Sequence, residues 1–196
     1  MNRIIQVDPA QATGKTKQLF DGVQTRLGLV PNLFRVFGNS SAALEGYLNF
    51  SSALAGGVLN AKVREQIALD VAEINDCTYC RSAHTFIGSK LGLTEREITD
   101  ARKVMATGER TAAILNLARS IVVERGELSD AEFKTARAAQ LTDAEIVETV
   151  ANVALNLLTN YVNHVAQTVV DFPEVKSGDP AVIGETCPTG TCACVH

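Results

Sequence analysis

The sequence predicts an all-helical protein. Apolar residues recur at spacings of three and four along most of the 196 residues, Ala, Leu, Glu, Lys and Arg fill the intervals, and very few segments alternate as a half-buried strand does. With 46% hydrophobic and 20% charged residues, the chain has the size and the apolar content of an ordinary globular domain.

The elements follow in order. Pro9 suits the first turn of a helix running to Leu27, with Leu19, Val23 and Leu27 facing inward and Gly28 as its stop. A shorter helix follows Pro31. Ser40 or Ser41 caps a segment to about Leu54 that carries Leu44, Tyr47, Leu48 and Phe50, and Gly56-Gly57 break it. Asn60 reads as the N-cap of a helix with Val63, Ile67, Val71 and Ile74 on one face, ending near Asn75-Asp76. The next helix runs from Cys77 to Lys90 and closes at Gly92, and Thr94 with Glu97 forms a capping box for another. Helical pattern returns over 109–124. Two further helices start around Ser129 and Thr142. The last is long, with a predicted inward stripe of Ile146, Val150, Val153, Leu157, Tyr161 and Val165, and Pro173 ends it.

This organisation is one compact domain over residues 1–172, with its most informative stretch at 60–91, and an irregular tail over 173–196. No fixed-period repeat or low-complexity linker divides it.

Composition narrows the function. The 18 Lys and Arg against 22 Asp and Glu give a net charge of −4, which disfavours a nucleic-acid partner that needs many phosphates neutralised. No uncharged apolar stretch reaches the roughly 18 residues of a membrane span, and the first ten residues lack the apolar run of a secretory signal. A cytoplasmic protein is the expectation. Five cysteines are too few, and odd in number, for a disulfide scaffold, so cysteine chemistry should be local.

That chemistry concentrates between Glu65 and His84, where Cys77-Thr-Tyr-Cys80-Arg-Ser-Ala-His84 brings two thiols and an imidazole together. At the start of a helix, Cys80 and His84 are neighbours at i and i+4. The positive end of the helix dipole favours a thiolate, and a nearby histidine can take the thiol proton. A second thiol three residues away is placed to attack an oxidised first one. Peroxide reduction needs a thiolate, a proton donor for the departing oxygen and a resolving thiol for the sulfenic acid. Glu65 on the preceding helix can reach His84 or Cys77, with Glu73 on the same face as the rival carboxylate.

Blander readings stand beside this one. Cys-x-x-Cys can be buried packing or half of a zinc site, His84 a satisfied polar residue, and Glu65 and Glu73 solvated helix residues. His164, within an apolar stripe, is a hydrogen-bonded core histidine or lines the thiol cavity. In the tail, Cys187, Cys192, Cys194 and His196 fall within ten residues, either as a bland terminus or as soft-metal ligands or a thiol relay.

The pattern Glu65, eleven residues, Cys77-x-x-Cys80, three residues, His84 resembles the alkylhydroperoxidase AhpD-like group of the carboxymuconolactone decarboxylase family over roughly residues 35–125. Asn160-Tyr-Val-Asn163-His164 and Asp171-Phe-Pro173 are similar to the C-terminal part of its longer, peroxidase-related members. The resemblance implies an all-helical fold, trimers or hexamers, and thiol-dependent reduction of organic hydroperoxides or hydrogen peroxide. It makes Cys80 the peroxidatic and Cys77 the resolving cysteine, with His84 and Glu65 as proton relay. It implies no cofactor beyond an external thiol or dithiol reductant. One departure stands out: the best-known members have a histidine where this chain has Tyr79, and a phenol of pKa about 10 is a poor base at neutral pH. The decarboxylase members lack the paired cysteines, which argues against that reaction. The other readings are a disulfide reductase or redox relay with little peroxidase activity, and a non-catalytic redox-responsive or metal-binding oligomer.

Overall fold

The computed structural model describes residues 3–106 and 108–179, and the tail cluster Cys187, Cys192, Cys194 and His196 lies outside them. The described residues form nine α-helices and no strand: α1 (Gly14–Leu27), α2 (Asn32–Phe37), α3 (Ser41–Ala55), α4 (Ala61–Ile74), α5 (Thr78–Lys90), α6 (Glu95–Ala101), α7 (Glu109–Val123), α8 (Asp130–Ala138) and α9 (Asp143–Ala166). None is long and apolar enough to cross a membrane.

Local chemistry sets most boundaries. The side chains of Ser40, Asn60, Thr94, Ser129 and Thr142 each accept the backbone N–H three residues on, and Thr94, Ser129 and Thr142 complete capping boxes with Glu97, Glu132 and Glu145. Of the two serines that could cap α3, Ser40 does so. Gly28 ends α1 with φ of 75°, a left-handed position that only glycine adopts without strain.

Two boundaries differ from expectation. The first helix begins at Gly14, not at Pro9, because Asp8 turns the chain first: its carboxylate accepts the Ala10 N–H at 3.0 Å and its carbonyl the Gln11 N–H. The last helix ends at Ala166, well before Pro173, where Gln167 takes a left-handed conformation with φ of 49°. Residues 167–179 then run on without regular structure but remain packed. Val175 is buried, its N–H donates to Ser82 Oγ at 2.9 Å, and its carbonyl accepts from Arg81. The packed chain therefore continues past residue 172.

α4 lies at the centre, against α5, α7 and α9. A large apolar cluster joins α4, α6, α7 and α8 through Ile67, Leu69, Ile98, Leu115 and Ala136. A smaller one joins α1, α2, α3 and α5 through Phe20, Leu33, Phe37 and Leu44, and it contains Cys77, Tyr79 and Cys80.

The long helix α9 splits the expected stripe: Val153 is buried and Ile146 and Leu157 pack against the large cluster, but Val150, Tyr161 and Val165 face outward. Val147, Val150, Leu158, Tyr161 and Val165 are exposed, whereas Thr149, Asn152, Asn156, Thr159, Asn160 and Asn163 are buried with Val153. The amides reach backbone or side-chain partners: Asn152 and Asn156 donate to carbonyls one turn back, and Asn160 accepts from Asn75 at 3.1 Å. Hydrogen bonding offsets part of the cost of burying these groups, Asn160 Nδ2 and Asn163 Oδ1 being left without a partner.

Charge is also buried between α4 and α7. Asp70 on α4 has no exposed surface and is bound by Arg119 of α7, and burial pushes its carboxyl up to about 6 despite that cation. A raised carboxyl pKa means that the folded state holds a proton which the unfolded chain releases near pH 4. This group therefore lowers stability as pH rises from about 4 to 6. Asp70→Asn is expected to remove that slope, worth on the order of 3 kcal/mol. Urea unfolding of both proteins between pH 4 and pH 7 checks it, and parallel curves would contradict it.

Candidate functional site

The site grows from the connection between α4 and α5. Asn75 closes α4, Asp76 adopts a left-handed φ of 49°, and Cys77 is the N-cap of α5, its Sγ accepting the Cys80 N–H at 3.3 Å. So short a connection makes the two helices antiparallel. Glu65, early in α4, meets His84 in the middle of α5, and Glu73, late in α4, meets Arg81 near the start of α5.

Cys77 and Cys80 are joined as a disulfide, with their Cα atoms 5.3 Å apart, and both are almost fully buried. Cys80 and His84 line one pocket of about 120 Å³, whose walls are mostly apolar: Leu29, Leu33, Phe34, Phe86, Ile87 and Phe172. Cys77 does not line it, so of the two sulfurs Cys80 is the one at the pocket wall. His84 Nδ1 lies 2.7 Å from Glu65 Oε2. A carboxylate only accepts, so Nδ1 carries the proton and Nε2 is left to exchange one. Asn163 of α9 donates from Nδ2 to Cys80 Sγ at 3.2 Å.

The rival carboxylate has other work. Glu73 Oε2 accepts from Arg81 Nε at 2.7 Å and Arg102 Nε at 2.8 Å, and Oε1 accepts from Ser177 at 2.8 Å. Its carboxyl is held below the usual range because Arg102, Ser177 and Arg81 outweigh its partial burial. Glu73 is thus an ion-cluster residue and does not join the thiols. His164 is exposed and does not line the thiol pocket: its Nε2 donates to the Asn75 carbonyl at 2.8 Å.

Tyr79 does line the pocket, but its phenol is turned toward α2, where it accepts the Leu33 N–H at 3.1 Å. Burial, and then the charge of Asp171, push its pKa well above 10, so it cannot serve as a base at neutral pH. The ring stacks edge-on against Phe172 at 5.7 Å. Tyr79 is thus a structural phenol. Among the described residues no group of three or more His, Cys, Asp or Glu is arranged to hold a metal ion.

Two features escaped sequence reasoning. Asn163 stands 83 residues from Cys80; its motif with Asn160 and His164 carried part of the resemblance, but its contact with the sulfur was not legible. Tyr47 of α3 lines the same pocket, and burial and the nearby Glu65 push its pKa up to about 12.

The model of the carboxymuconolactone decarboxylase family matches residues 41–124. No curated protein matches the sequence. The alkylhydroperoxidase AhpD core of an uncharacterized peroxidase-related protein from Ralstonia eutropha JMP134 superposes with a TM-score of 0.77 at 22% identity, covering 86% of this chain and 92% of that one. An uncharacterized peroxidase-related protein from Silicibacter sp. TM1040 gives 0.74 at 22% identity, over 84% and 90%. The debrominase Bmp8, solved in complex with 2,3,4-tribromopyrrole, gives 0.73 at 16% identity, over 86% and 91%. At these identities the likeness concerns the fold.

Tyr79→Phe separates anchor from relay. It leaves the buried Leu33 N–H without an acceptor and is expected to cost about 1–3 kcal/mol in urea unfolding, with the alkylation rate of reduced Cys80 unchanged. A slower alkylation with unaltered stability would return the phenol to the thiol chemistry.

Proposed function

Because the model of the carboxymuconolactone decarboxylase family matches residues 41–124 and the fold is AhpD-like, we propose that the chain is a thiol-dependent peroxidase of antioxidant defence, reducing organic hydroperoxides or hydrogen peroxide. The observation that carries this reading is the Cys77–Cys80 pair beneath an apolar pocket, with His84 on the pocket wall and Glu65 fixing its tautomer.

In the reduced enzyme, His84 Nε2 takes the Cys80 proton, and the thiolate attacks the terminal oxygen of the peroxide. The S–O bond forms as the O–O bond breaks. The departing alkoxide recovers the proton from His84 and leaves as an alcohol, or as water from hydrogen peroxide. Cys77 then attacks the sulfenic sulfur of Cys80, and hydroxide leaves with the Cys77 proton as water. The peroxide has taken two electrons and the disulfide remains. An external thiol or dithiol protein returns them by exchange and is itself oxidised to a disulfide. The scheme needs no metal or other cofactor, and its reductant fits a cytoplasmic setting.

The resemblance also implies a homotrimer or homohexamer, and the exposed stripe Val147, Val150, Leu158, Tyr161 and Val165 on α9 is the face a second copy would cover. A second reading, disulfide reductase or redox relay, is favoured by Tyr79, whose anchored phenol leaves His84 as the relay imidazole. The fold does not choose between them, since the same architecture occurs in a debrominase.

Steady-state oxidation of a dithiol by cumene hydroperoxide and by hydrogen peroxide tests the proposal. Cys80→Ser is expected to abolish turnover, and Cys77→Ser to permit one oxidation and then stall. His84→Asn should slow turnover about a hundredfold. Dithiol–disulfide exchange without peroxide consumption would support the second reading, and undiminished turnover in Cys80→Ser would exclude both.

A further inference from the structure

We infer that Asn163 is a positioning residue that stabilises the thiolate of reduced Cys80 and so favours the reduced form of the Cys77–Cys80 pair. For its consequence in turnover this rests on the thiol-peroxidase reading. Its physical basis does not.

The Asn163 side chain is only 4% exposed. Its Nδ2 donates to Cys80 Sγ at 3.2 Å, while its Oδ1 is buried with no partner. An orphaned amide oxygen costs about 1–3 kcal/mol. As packing alone, an apolar residue would be the better occupant of this position.

Asn163 is also held in place from both sides. One turn earlier, Asn160 Oδ1 accepts from Asn75 Nδ2 at 3.1 Å, and the next residue, His164, donates from Nε2 to the Asn75 carbonyl at 2.8 Å. Asn75 closes α4 two residues before Cys77. These bonds clamp the end of α9 to the turn that carries the thiols, and the Asn163 amide reaches across to the sulfur.

The value of that amide depends on the oxidation state. A disulfide sulfur is a weak acceptor, whereas a thiolate is a charged and strong one. The surroundings of Cys80 otherwise oppose charge: Leu33, Phe37 and Ala83 belong to the same apolar cluster, and the Cys80 N–H is directed to Cys77. The titratable groups around the sulfur are Cys77 at the N-cap of α5, His84 and Tyr79 of α5, Glu65 of α4 behind His84, Tyr47 of α3 on the pocket wall and, beside the Tyr79 phenol, Asp171 beyond α9. Among the described residues, Asn163 is the side chain that donates to it.

The experiment contains no peroxide, so its failure and that of the peroxidase reading are separable. In the reduced full-length protein, iodoacetamide modification of Cys80 is followed by peptide mass spectrometry from pH 5 to pH 9. Asn163→Ala should move the profile up by about one pH unit, a roughly tenfold loss of rate below the midpoint. Asn163→Asp, nearly isosteric but anionic, should move it further. Both disulfides should be harder to reduce with dithiothreitol, by about tenfold in the equilibrium constant for the alanine variant. The unsubstituted protein gives a second measurement: the Asn163 side-chain amide resonance should shift with the Cys80 midpoint and again on oxidation. An unmoved profile in the variants, a uniform loss of rate without a shift, or an amide resonance indifferent to both pH and oxidation would overturn the inference.

Discussion

The guanidinium of Arg81 has no exposed surface, and the geometry of the site depends on it. It donates to Glu73 at the end of α4, to Asp76 in the following turn at 2.9 Å, and to the Val175 carbonyl of the segment beyond α9. Arg102 of the chain after α6 joins through Glu73 and through the carbonyls of Lys176 and Asp179. Such a cluster adds little net stability against well-packed apolar residues, but removing one partner strands the others, at about 3–5 kcal/mol. Its consequence is registration. With Arg81 tied to α4 and to the turn, Cys77 must cap α5, Cys80 must face the pocket, and His84 must fall opposite Glu65. The same cluster draws residues 167–179 across α5 and sets Phe172 against Tyr79 and Phe86.

Polarity at the site is therefore sparse and placed. The sulfurs sit in an apolar cluster that by itself resists ionisation. Against it stand the N-terminus of α5, one imidazole oriented by one carboxylate, and one amide from α9. An apolar pocket makes each of these count for more than it would in water, and it admits apolar molecules more readily than charged ones.

What could be read from the sequence was what short spacing governs. Asn60, Thr94, Ser129 and Thr142 announced their helices because a capping bond spans three residues. Glu65 and His84 were legible together because a tight antiparallel connection relates them almost arithmetically. Glu73 looked equivalent to Glu65, and Arg81 on the next helix, Arg102, 29 residues on, and Ser177, 104 residues on, distinguish it. Helix α9 misled most. Val150, Tyr161 and Val165 carry the helical period expected of a core face yet are exposed, and the buried face beside Val153 is lined with Asn and Thr, of which Asn160 and Asn163 find partners in other elements. Periodicity shows that a face is apolar, not what it meets. Pro173 failed as a stop signal for a related reason, since the left-handed Gln167 had already ended the helix.

The central claim is that one peroxide is consumed at Cys80 and leaves one Cys77–Cys80 disulfide. The direct measurement is a single turnover of the reduced full-length protein with one equivalent of cumene hydroperoxide, followed by peptide mapping of its thiols. The account predicts one equivalent of cumyl alcohol and a disulfide confined to Cys77 and Cys80, with no stable sulfenic acid. Alcohol formed while both thiols remain free, or oxidation found elsewhere with this pair intact, would contradict it.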